Sequence, residues 1–139
     1  MVSLEIDRLA SIVVDCGFHI HANLGPGLLE SAYEMILYEK LKQKGLSTDR
    51  QAPININYDG IQIDAAFKVD LIVEGILIVE LKASEGMPPV YGRQLLTYLK
   101  LMDLPLGLLI NFGMGTFKQG VKRVANNHSD LASLRLGVR

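Results

Sequence analysis

The chain has 139 residues, 49% apolar and 21% charged, with no Trp, few aromatics and one cysteine, Cys16, which suits a single domain over residues 1–139 with an aliphatic core. One cysteine excludes an intrachain disulfide and a cysteine zinc cluster, and the scarcity of aromatics argues against a base-stacking single-strand surface. Glu5, Asp7 and Asp15 near the start argue against a signal peptide, and no run approaches the roughly 18 apolar residues of a membrane span, so a cytoplasmic setting without membrane contact is expected.

In chain order, Leu4, Leu9, Ile12, Val13 and Cys16 recur at helical spacing and predict a helix over 4–20. The apolar surroundings of Cys16 suit a buried structural thiol. Gly25, Pro26 and Gly27 then break the chain. A second helix is expected from about Leu28 to Lys44, with Leu29, Ala32, Ile36, Leu37 and Leu41 as its stripe and Gly45 as its stop. Residues 52–58 alternate as a strand does, and Asp59-Gly60 signals a hairpin into a strand over 61–73. A third strand follows at 76–82. Pro88 and Pro89 lead into a helix near 90–102, and LGLLINF at 106–112 reads as a buried strand. The tail from Phe117 to Val124 fits either a strand or a helix. The order α-α-β-β-β-α-β, with a helix crossover before the fourth strand, predicts an α/β fold: a mixed sheet flanked by helices.

Charge divides along the chain. Residues 1–80 hold 6 basic and 12 acidic residues, and residues 81–139 hold 8 and 3. That split fits an acidic metal site beside a basic surface that follows phosphates, and it equally fits scattered solvated charge.

The chemistry concentrates in FKVDLIVEGILIVELK, residues 67–82. Strand alternation places Val69, Leu71 and Val73 on one face and Lys68, Asp70 and Ile72 on the other. In the next strand Leu77, Val79 and Leu81 oppose Ile78, Glu80 and Lys82. If both apolar sets face one core, the paired residue numbers must sum to an even value. Asp70 then falls opposite Glu80 across a three-residue loop, Glu74-Gly75-Ile76, with Gly75 in unusual backbone angles. A two-residue turn would set Asp70 against Val79 instead. Two carboxylates so placed repel each other, and a divalent cation such as Mg²⁺ relieves that repulsion, with the Leu81 carbonyl as a further ligand. Lys82 suits activation of water and stabilisation of phosphate charge. Glu-x-Lys by itself better describes a solvated strand face, and only an upstream Asp at a register that superposes the groups brings the two readings level.

Glu30, Tyr33, Glu34 and Leu37 share one side of the second helix. Gln94 and Tyr98 lie one turn apart on the third, where a Gln could orient water or hold a phosphate. His19 and His21 face different ways on a helix, His128 lies in a polar tail, and none has a zinc-type partner.

These segments resemble a known family. GLLESAY matches the GxxExxY signature through Gly27, Glu30 and Tyr33. NLGPGLLESAYE, FKVDLIVEGILIVELKA, RQLLTYLKL and LGLLINFG resemble that family's blocks in the same order, over roughly residues 5–125. GxxExxY proteins are placed in the PD-(D/E)xK nuclease-like superfamily. The resemblance implies a restriction-endonuclease-like core of about four to five strands. It implies a Mg²⁺ or Mn²⁺ site at Asp70 and Glu80, completed by Glu30, with Lys82 assisting catalysis and Gln94 in support. It points to hydrolysis of DNA or RNA. Val69 stands before Asp70 where the superfamily label has Pro, a loosely kept position. The alternatives are a non-catalytic nucleic-acid-binding module and an interaction protein acting as a homo-oligomer.

Overall fold

The computed structural model describes residues 4–127, so His128 lies outside the described residues. Helices α1 (Leu4–Leu24) and α2 (Glu30–Gln43) precede strands β1 (Thr48–Tyr58), β2 (Ile61–Val73) and β3 (Leu77–Lys82). Then come α3 (Pro89–Met102), β4 (Leu106–Asn111), the one-turn helix α4 (Phe117–Gly120) and β5 (Val121–Ala125). The strands form one sheet in chain order, parallel only at β3–β4, where α3 is the crossover. The expected α/β architecture is met. The tail left open as strand or helix is both: a capping box between Thr116 and Gln119 starts one helical turn, which runs straight into β5.

Local chemistry sets the ends. Gly25, at φ 71°, closes α1 four residues later than expected, because Ile20 and His21 are buried and extend its packed face. Gly45, at φ 81°, ends α2, and the Leu46 N–H returns to the Leu41 carbonyl at 3.1 Å. Asp59 and Gly60 both have positive φ, as a two-residue hairpin turn between Tyr58 and Ile61 requires. The expected stripe of α2 needs correcting. Leu29 is the extended N-cap and is exposed, and the buried row is Tyr33, Leu37 and Leu41 with Glu34.

The sheet separates two apolar layers. Leu71, Val73, Leu77, Val79 and Leu81 pack with α1 and α2, through Tyr33, Leu37 and Leu41. Ile72, Ile78 and Leu109 pack with Leu95 and Leu99 of α3. Val69 was expected to share a face with Leu71 and Val73, but it belongs to the α3 layer. The alternation of β2 therefore slips by one beat between Val69 and Ile72, at Asp70. No described helix is long and apolar enough to cross a membrane.

Candidate active site

The slip in β2 has a visible cause. The β2–β3 ladder pairs Val73 with Leu77, Ile72 with Ile78 and Leu71 with Val79, and goes no further. These pairs have the predicted even sum, and the loop Glu74-Gly75-Ile76 has Glu74 and Gly75 at φ 52° and 71°. One step on, where Asp70 and Glu80 would pair, side chains replace the main-chain ladder. The Asp70 N–H donates to Glu80 Oε1 at 2.8 Å, and the Leu81 N–H donates to Asp70 Oδ2 at 2.8 Å. On the other side, Gln51 of β1 lies between the Arg50–Leu71 and Ala52–Val69 pairs with φ 53°. The strands part, and both carboxylates reach into the opening.

That opening is electrostatically costly. Glu80 is only 9% exposed. Burial, then the neighbouring Asp70 charge, pushes its carboxyl up to about 8, although the Asp70 N–H and Lys82 pull the other way. Burial likewise raises Asp70 to about 6; the Leu81 N–H opposes this, while Glu34 and Glu30 add to it. With the Glu80 carboxyl at about 8, the pair retains a proton near neutrality. Glu30 is exposed at the first residue of α2, and both carboxylates feel its charge. Among the described residues, no three His, Cys, Asp or Glu side chains form a closed cluster. The donor set fits a hard divalent cation: two oxygen-bearing groups whose mutual repulsion a cation removes.

A polar bracket positions Asp70. Gln51 Nε2 donates to Asp70 Oδ1 at 3.2 Å and to Glu34 Oε1 at 2.6 Å. Glu34 is 4% exposed and is held on its other oxygen by Arg50 Nη1 at 3.1 Å. Sequence reasoning missed Arg50 and Gln51. The one available signal was Glu34, a single turn after Glu30 on an otherwise buried side.

Lys82 is half-buried, with Nζ 4.6 Å from the Tyr91 ring centroid. Gln94 is exposed on α3 and hydrogen-bonds to Tyr98. The Tyr98 hydroxyl is pushed up by burial and by the charges of Glu80 and Asp70, and its ring stacks on Phe67 at 4.2 Å. Gln94 thus bears on a hydroxyl that feels the charges of both carboxylates. Leu81 contributes its N–H to Asp70.

Tyr33 acts one step removed. Its buried ring stacks on Phe112 at 4.4 Å, its hydroxyl donates to the Gly25 carbonyl, and it accepts from the Leu28 N–H at 3.1 Å. Both bonds fix the turn that delivers Glu30.

A family model described as the PD-(D/E)XK nuclease superfamily matches residues 7–124. No curated protein and no solved structure matches the chain.

Proposed function

The chain belongs to the PD-(D/E)XK nuclease superfamily, and on that premise we propose that it is a divalent-metal-dependent nuclease of the GxxExxY type, hydrolysing phosphodiester bonds of DNA or RNA. The observation that carries this reading is the pair Asp70 and Glu80, held across an opened sheet and raised to about 6 and about 8. A buried acid pair in that state is poised to exchange its proton for a cation.

Asp70 and Glu80 would hold Mg²⁺ or Mn²⁺, with Glu30 and the Leu81 carbonyl as further donors. Such a cation supplies Lewis-acid activation of water and neutralises phosphate charge. Lys82 would place its ammonium against the charge that develops on the scissile phosphate. Tyr91 limits where that ammonium can swing. Gln94 and Tyr98 would orient the attacking water from the α3 side. Gln51 holds Asp70 in aim, and Tyr33 fixes the approach of Glu30.

Calorimetric titration with Mn²⁺ and Mg²⁺, paired with a cleavage assay on mixed DNA and RNA, tests this. Wild type should take up metal and cut, Asp70→Ala should do neither, and Lys82→Ala should bind metal without cutting. Absence of metal uptake by wild type ends the proposal. One observation favours the second reading, a binding module that keeps the fold: Glu30 stands apart from a closed cluster. Metal-independent nucleic-acid binding with no cleavage under any divalent ion would select it.

A further inference from the structure

We propose that the groove between α3 and β5 is the track on which the phosphodiester backbone of a nucleic acid lies, leading towards Lys82. Gly92, Arg93 and Leu96 of α3 and Lys122, Arg123 and Val124 of β5 line this open groove. Arg93 and Lys122 are exposed, and neither is in an ion pair among the described residues, whereas Arg8, Arg50 and Arg123 are paired with Glu5, Glu34 and Asp7. The first turn of α3 contains no acidic residue to balance them.

The groove and the candidate active site share the first turn of α3. Lys122 Nζ lies 3.4 Å from where a Cβ on Gly92 would sit, so the bare Gly92 leaves room for that ammonium across α3. The ammonium of Lys82 rests on the ring of the preceding residue, Tyr91. Two cations therefore abut consecutive residues of one helical turn, one in the groove and one at the site. Lys100, two turns beyond Arg93, continues the row along the helix. Unpaired like charges repel, and a polyanion relieves that repulsion while releasing its counterions. The side chains between the cations are aliphatic, Leu96 and Val124, with no aromatic platform. The groove is therefore built to read backbone charge and not base identity.

Only the heading of the track towards Lys82 rests on the nuclease reading; binding is measured without metal. The experiment is fluorescence anisotropy in EDTA over a salt series, with labelled single-stranded and duplex DNA and RNA. Wild type is compared with Arg93→Glu/Lys122→Glu and with Lys40→Glu/Lys44→Glu, an equal charge change on the α2 side; melting curves confirm folding. The groove variant should lose at least about tenfold in affinity. Its log–log salt slope should shrink by about 1.4 to 1.8, as expected for two lost phosphate contacts. The α2 variant should change little. A loss confined to DNA or to RNA supports the track and identifies its occupant. Equal losses in both variants, an unchanged groove variant, or a wild type that binds none of the probes overturns the proposal. A wild type that binds through the groove yet never cuts with Mn²⁺ sinks the nuclease reading and leaves the track standing.

Discussion

Two buried polar sites flank β3, and they are built on opposite principles. At the end of β4, Asn111 is 0% exposed and uses its whole hydrogen-bonding capacity. Its Oδ1 accepts from the Ser84 and Gly113 N–H groups at 3.0 and 2.9 Å, and its Nδ2 donates to the Gly86 carbonyl and to Ser84 Oγ at 2.8 and 3.2 Å. In the β2–β3 opening, Asp70 and Glu80 also accept hydrogen bonds, yet both carboxyls are raised, because no bond made there offsets burial and mutual repulsion. A neutral amide with every bond made holds structure together. A charged pair whose bonds fall short is a site awaiting a ligand. The Asn111 clamp fixes the loop that follows Lys82, so the stable site steadies the poised one.

The comparison is tested most severely at the clamp. Asn111→Ala should strand the half-buried Ser84 and Gly113 N–H groups and free the exposed Gly86 carbonyl, costing about 2 to 3 kcal/mol. Gly113→Ala should do at least as much damage, since a Cβ there would meet the Ser84 carbonyl oxygen at 2.3 Å. Urea unfolding measures both. A loss below about 1 kcal/mol for Asn111→Ala would show that the loop rearranges and that the clamp is not structural.

The poised site should respond in the opposite sense. Glu80→Gln keeps an oxygen for the Asp70 N–H and removes the charge conflict. In the metal-free wild type, the folded chain keeps protons that the unfolded chain releases from about pH 4 upwards. Stability contributed by the protonated pair is therefore complete below that pH and is lost as pH rises through about 6 and then about 8. Glu80→Gln should match wild type near pH 5 and exceed it by about 1 to 3 kcal/mol at pH 8.5. Saturating Mn²⁺ should stabilise wild type at pH 8.5 and leave the variant unmoved. A wild type that gains stability between pH 5 and 8.5 relative to Glu80→Gln would reverse the assignment of the two sites.

The sequence carried much of this, for identifiable reasons. Asp59-Gly60 and the aliphatic runs of β2 and β3 fixed the hairpins and the parity of the register, because a one-residue slip would have turned Leu71 and Val79 out of their layer. That parity was enough to bring Asp70 and Glu80 together. It was not enough to foresee Val69 crossing to the α3 layer, because the slip depends on carboxylates displacing ladder bonds, a competition that alternation does not encode. Arg50 and Gln51 were invisible for a related reason. They meet Glu34 only through the pairing of β1 with β2 and the packing of α2, 16 and 17 residues away in the chain. The clamp was likewise hidden, since Asn111 and Ser84 are 27 residues apart.

The smallest effect should come from the bracket between the two carboxylate shells. Gln51 spends one amide nitrogen on both Glu34 and Asp70, from a backbone at φ 53° that disfavours side chains. Two substitutions separate the amide from the backbone. Gln51→Ala removes the amide and keeps the backbone penalty, while Gln51→Gly removes the amide and relieves the penalty. If the amide aims Asp70, both should weaken Mn²⁺ binding by about tenfold, the lower end of what supporting residues contribute, and Gln51→Gly should be the more stable of the two. Calorimetry and melting curves read the two effects separately. Unchanged metal affinity in both variants would mean that the Leu81 N–H alone orients Asp70 and that Gln51 serves Glu34. The bracket would then belong with the Asn111 clamp, as structure, and not with the poised pair.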